Sequence, residues 1–348
     1  MREIIEKPRF TAAPMGAVPY RSMDRAIGSI FSHFPIAPCL PVTTRSSRWM
    51  LEGIPCLIVD RRKRTICMDC TQERENELLE FYDEYEKGNL EYFGTSHETA
   101  PFIYGAIEWV RRNASEQMKW FLVHLAGPPL LGDIIKQANG IPVFFDESLR
   151  DVIIKAVNMK TLWLVDRFQN VLPGIQIIPD LSETTLVKFT SAQGTGLRED
   201  LIDAINAGFE GIDCPRFVHC CANIDWSLLT DSSVDIINFD AYQYAESASL
   251  YAKEFRKFVD RGGMIGWGIV PVISDLLASE GVDSLVDRLQ KSIDYFVRAG
   301  IEEEKLANAS WVMPSCETIL LTVEESDRVF DMTMQVASIM KRRYGFDR

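Results

Sequence analysis

The sequence predicts an α/β fold of the (β/α)8 TIM-barrel class, and three observations lead there. Eight short apolar runs recur along the chain, and from residue 118 onward they alternate with stretches of helical period. Most runs are near-continuously apolar instead of alternating, as strands of a parallel sheet covered on both faces are. No G-x-G-x-x-G follows any run and no Walker loop occurs, which counts against an open nucleotide-binding sheet. With 348 residues of which 47% are hydrophobic, the chain can bury one large core, and one domain over 1–348 is expected.

In chain order, the first two strands are expected in FTAAPMGAV (10–18) and FPIAPCLP (34–41). A connection of about 75 residues follows. It holds a hairpin pattern, IPCLIVDRRKRTICMD, with the basic tip DRRKRT (60–65) turned to solvent, and then a charged helix in TQERENELLEFYDEYEKG. No Pro, Gly or Ser-rich linker sets this stretch apart, so it is expected to elaborate the barrel over about 52–117, between strands two and three. The remaining runs are KWFLVHLAGP (119–128), GIQIIPDL (174–181), RFVHCCA (216–222), VDIINFDA (234–241), GMIGWGIV (263–270) and ASWVMPSC (309–316). The last helix opens at Thr322, which has capping-box spacing to Glu325, and ends on Lys341, Arg342 and Arg343, which suit the helix dipole. Its Val329, Phe330, Met334, Ala337 and Met340 form a core stripe.

The net charge of −13 argues against a nucleic-acid or anionic-membrane surface, since both need clustered Lys and Arg. There is no leader-like apolar segment and no run near membrane-spanning length, so a cytoplasmic protein is expected. Eight scattered cysteines do not form a secreted disulfide framework, and free thiols are left available for metal.

The stretch RFVHCCANIDW (216–226) places His219, Cys220 and Cys221 at a strand end. Side chains alternate along a strand, so His219 and Cys221 share one face while Cys220 turns to the other and packs as a small hydrophobe. In a barrel both residues lie at the C-terminal rim, which Cys316 reaches from the end of strand eight. One imidazole and two thiolates form a soft set for zinc, and three protein ligands leave one exchangeable position. Asp240, ending strand six, is either a weak fourth ligand or the cap of the next helix. The pair Cys67 and Cys70 has no partner pair and reads as structural. Arg45 and Arg48 are candidates for a substrate carboxylate or for covering the rim; His124 reads as a satisfied core histidine, and Trp226 and Trp267 as pocket walls or packing.

His-x-Cys ending strand five, an acidic residue ending strand six and PSC ending strand eight resemble the zinc site of the cobalamin-independent methionine synthase family. The stretch beginning HLAGPPLLGDIIKQ is similar to a strand and helix of the superfamily that also holds uroporphyrinogen decarboxylase. The resemblance covers roughly residues 10–345 and corresponds to the C-terminal catalytic barrel, the short core form. It implies zinc on His219, Cys221 and Cys316 with Asp240 at the place of a family glutamate, and a substrate amino group on Asp180. It also sets Gly16 and Ala17 in a substrate loop, where Ala17 stands in place of a serine.

That resemblance implies a zinc-dependent methyltransferase acting on a thiol, homocysteine giving methionine. The donor is methylcobalamin or a methylated corrinoid protein, with methylfolate the alternative. No histidine follows His219 to protonate a folate nitrogen, which favours a corrinoid leaving group. Three competing expectations are a methyltransferase for a coenzyme-M-like thiol, a uroporphyrinogen-decarboxylase-like lyase, and a non-catalytic barrel that binds a corrinoid or an amino acid.

Overall fold

The computed structural model describes residues 6–43, 48–60, 62–63, 65–189 and 197–347. Its strands are β1 (Thr11–Ala12), β2 (Leu57–Asp60), β3 (Thr65–Met68), β4 (Trp120–Ala126), β5 (Lys136–Gln137), β6 (Gln176–Ser182), β7 (Phe217–Cys220), β8 (Ile236–Phe239), β9 (Met264–Val270) and β10 (Ser310–Pro314). Seven of them form one sheet in the order β1-β10-β9-β8-β7-β6-β4, every pair parallel. Strands β4, β7, β8, β9 and β10 are covered on both faces, which is why their sequences are apolar without alternation. The helix Glu147–Gln169 packs on β6, Val282–Arg298 on β9 and Val323–Arg343 on β10.

Where an eighth strand is expected, at 34–41, the segment makes isolated parallel bridges instead of a ladder, Cys39 with Leu122 on β4 and Val42 with Ala17 beyond β1. The backbone bonds are Leu40 N–H to Leu122 O at 2.8 Å, Leu122 N–H to Pro38 O at 3.0 Å and Val42 N–H to Gly16 O at 2.8 Å. Pro35, Pro38 and Pro41 explain the difference, because each removes an N–H that a continuous ladder would use. The segment touches both edges of the sheet, so the sheet curls back on itself.

The stretch before β4 contains the expected hairpin, β2 antiparallel to β3, and the expected charged helix at Glu75–Glu86. At the tip, Asp60 Oδ1 accepts from Arg62 N–H and Lys63 N–H. The small sheet gains a third strand from β5, which pairs parallel with β3 and has no counterpart in the sequence expectation. Lys160, 1% exposed in the helix Glu147–Gln169, ties this region down by donating to Gly94 O and Thr95 Oγ1, both at 3.1 Å. The capping box of Thr322 and Glu325 is formed, and Val329, Phe330 and Met340 are fully buried while Met334 is only partly so. Among the described residues, no helix is long and apolar enough to cross a membrane.

Candidate metal centre

Parallel register sets which side chains meet. His219 on β7 lies opposite Asn238 on β8, which lies opposite Gly266 on β9. These three share one face of the sheet, and Cys221 follows His219 by two residues on the same side. Cys220 pairs in register with Phe239, whose ring packs with Trp226, Trp267 and Phe255, so it belongs to the helix-facing layer. Trp226 and Trp267 are therefore packing residues, and Trp267 Nε1–H donates to Ser310 Oγ at 2.8 Å.

The donor atoms of His219, Cys221 and Cys316 all lie within 4.8 Å of one another, and among the described residues this is the one such group of three. His219 Nε2 stands 3.5 Å from Cys316 Sγ. On its other side Nδ1 is 2.5 Å from Asn238 Oδ1, and Asn238 Nδ2 donates to Gly266 O at 2.8 Å. A carbonyl can only accept, so the Asn238 amide nitrogen must face Gly266 and its oxygen must face the ring. Nδ1 then carries the proton and Nε2 is the nitrogen that can offer a lone pair to a cation. Asn238, 0% exposed, escaped the sequence analysis; an amide inside the apolar run IINF was the available signal.

Two members of the group, His219 and Cys221, have their pKa values raised. Burial works to lower the His219 pKa, but the neighbouring Cys221 sulfur, with help from Asp180 and Asn238, outweighs it and raises the value to about 9. The Cys221 thiol is pushed up, first by its contact with Cys316 and then by burial. Two adjacent thiols cannot both ionise cheaply unless a positive ion sits between them.

Asp240 lies outside this group. Its Oδ1 accepts from Gln243 N–H at 3.0 Å and its Oδ2 from Gln243 Nε2–H at 2.6 Å, so it caps the helix Ala241–Ala248. Asp180, 0% exposed on β6, is opposite His124 on β4, and Asp180 Oδ2 is 2.6 Å from His124 Nδ1. His124 thus has one partner and is not the fully satisfied core histidine expected. Gly16 packs against that ring: a Cβ there would lie 2.3 Å from His124 Cδ2. Ala17 O accepts from Thr318 N–H at 3.0 Å, which binds the 16–17 loop to the segment after Cys316. Glu183, also missed, is fully buried; its Oε2 accepts from Leu130 N–H at 2.8 Å, and burial holds its carboxyl well above the usual range. Cys67 and Cys70 take no part in the group, Arg48 is the exposed first residue of the short helix Arg48–Leu51, whose other three residues are buried, and Arg45 lies outside the described residues.

By sequence, no protein-family model and no curated protein matches the chain. Solved structures match in shape. A B12-independent methionine synthase from Shewanella sp. W3-18-1, in complex with selenomethionine, superposes with a TM-score of 0.63 at 12% identity, covering 96% of this chain and 98% of that one. A putative vitamin-B12 independent methionine synthase from Listeria monocytogenes gives 0.60 at 13% identity over 97% and 98%. A methyltransferase from Methanosarcina mazei gives 0.58 at 12% identity over 95% and 94%. Over nearly its whole length the chain shares the fold of the cobalamin-independent methionine synthase structures of the short core form.

Proposed function

We propose that this chain is a methyltransferase that transfers a methyl group to a thiol, with zinc held by His219, Cys221 and Cys316. The observation that carries the proposal is the convergence of these three soft donors from the ends of two strands that are not neighbours in the sheet. The donor set fits zinc: one imidazole lone pair directed by a fixed amide, two sulfurs and, among the described residues, no fourth His, Cys, Asp or Glu in the group. When bound, the metal would supply the positive charge that lets a thiol ionise near neutral pH.

The chain's own residues do the rest. Asn238 fixes the imidazole, and Asp240, engaged with Gln243, stays a helix cap unless substrate or metal draws it away. In this reading Gly16, Ala17 and Asp180 contact the substrate beside the metal group, the whole chain acting as one catalytic domain. The substrate sulfur attacks the methyl carbon in line. The new S–C bond forms as the bond to the donor breaks, and the electron pair leaves with the donor. A methylated corrinoid, free or on a partner protein, departs without needing a proton, which suits a chain with no histidine after His219. Methylfolate is the second donor. Homocysteine is the acceptor suggested by the structural likeness to methionine synthases, and a coenzyme-M-like thiol is the second reading, favoured by Ala17, which offers no hydroxyl. The protein is expected to work in the cytoplasm.

Two measurements test the proposal together. Elemental analysis of protein purified without chelator should find about one zinc per chain, lost in Cys316→Ala, as a three-ligand site requires. Methyl transfer from methylcobalamin to homocysteine should disappear in the same variant. Full activity in metal-free Cys316→Ala sinks the proposal.

A further inference from the structure

The hairpin β2–β3 carries thiols that the metal centre does not use. Its ladder pairs Leu57 with Met68, and Asp69 N–H donates to Cys56 O at 2.9 Å, so Cys56 and Cys70 meet at the base of the hairpin, one step out of register. In a regular ladder, residues offset by one step turn to opposite faces. Cys56 departs from that rule: its φ is +60°, in the left-handed region that non-glycine residues seldom enter. Its N–H donates to Glu77 Oε2 at 2.8 Å and its carbonyl takes the Asp69 bond, so the unusual backbone is held from both sides. The side chain turned in this way meets Cys70: Cys70 S–H donates to the Cys56 sulfur, whose own S–H points to Arg74 O at 3.8 Å. A backbone outlier held this firmly points to a role for its side chain.

Cys56 is fully buried and Cys70 partly exposed, so a reagent reaches the pair through Cys70. Cys67 forms a C-x-x-C pair with Cys70 in the sequence, but it lies opposite Ile58, and the ladder keeps the chain extended from Cys67 to Asp69, which carries Cys70 away from it. We propose that Cys56 and Cys70 are a redox-active dithiol, a site of exchange with a small disulfide of the glutathione type, and that its oxidation ties the base of the β2–β3 hairpin. The Cys70 sulfur attacks the small disulfide and expels one thiolate; the Cys56 sulfur then attacks the Cys70 sulfur and expels the second. The protons lost by the two cysteines pass to the two departing thiolates, so two protein thiols are oxidised and one small disulfide is reduced to two thiols. Burial pushes the Cys70 thiol up to about 12, and the bond to Cys56 adds to the shift. The attacking thiolate is therefore scarce near neutral pH, and the pair is a slow couple that follows the prevailing redox balance, not a fast sensor. Because β3 also pairs with β5, the link fixes the whole three-stranded sheet.

The test uses the full chain, equilibrated with reduced and oxidised glutathione at mildly alkaline pH, alkylated, digested with trypsin without reduction and mapped by mass spectrometry. Cleavage after Arg62 or Lys63 separates Cys56 from Cys70, so a disulfide between them shows as two joined peptides. The joined pair should appear in the wild type and in Cys67→Ser and be absent from Cys70→Ser. In the oxidised wild type, amide exchange at Asp69, whose N–H bonds to Cys56 O, should slow on the order of tenfold. A Cys67–Cys70 link, glutathione held on Cys70 without closure onto Cys56, or both thiols still reduced in excess oxidised glutathione overturns the proposal, and an unchanged Asp69 rate in the linked protein overturns the tie to the hairpin. If Cys70→Ser does not fold, the wild type and Cys67→Ser decide.

Discussion

In the proposed metal centre, the residue that would govern the ligands without itself binding the ion is Asn238. Its amide is oriented by Gly266 O and in turn fixes which nitrogen of His219 is free. Asn238→Ala should therefore weaken metal affinity about 10–100-fold, the usual effect of losing an outer partner. Competition against a chromophoric chelator measures this; unchanged affinity would mean that packing alone holds the ring. His219, Cys221 and Cys316 were legible in the sequence because strand alternation fixes which of three adjacent residues point together, and because runs of this type end at one rim. Partners across strands were not legible. Asn238 for His219 and His124 for Asp180 depend on register, which one sequence does not display, and a lone polar residue in an apolar run reads as filler.

At the scale of elements, the helix Glu147–Gln169 anchors the stretch before β4 through one buried lysine. Burial lowers the Lys160 pKa from 10.5 to about 7, with Glu52 opposing the shift. Between those values the unfolded chain binds more protons than the folded one, so this group's contribution to stability rises with pH. Denaturant melts of wild type and Lys160→Met from pH 7 to 10 should show the wild type gaining on the variant as pH increases; parallel curves would mean that Lys160 stays charged in the fold. Between the sheet and its helices, Trp267 is 0% exposed and packs against Phe239 and Phe296. Trp267→Ala should cost about 3–5 kcal/mol in the same assay. The final helix was readable to its first residue because its capping box is local chemistry, whereas β5 was not, since two residues become a strand only through a neighbour distant in sequence.

For the whole molecule, β7 and β10 are separated in the sheet by β8 and β9, so an ion shared by His219, Cys221 and Cys316 would join strands that no ladder pairs. Zinc should then stabilise the fold by mass action, about 2.7 kcal/mol at a free concentration 100 times its dissociation constant. Thermal melts against zinc activity should show this in the wild type and not in Cys316→Ala. The order of the parallel strands followed from apolar runs alternating with helices; the incomplete eighth position did not, although its prolines were in view. That position has a kinetic consequence. A ring of strands opens first where the fewest hydrogen bonds must break at once, and here that place is the proline-spaced segment joining β4 to the residues beyond β1. Amide hydrogen exchange should find Leu40 and Val42 trading their protons with solvent well ahead of Leu181 and Val218, which makes this seam the natural axis along which the molecule breathes.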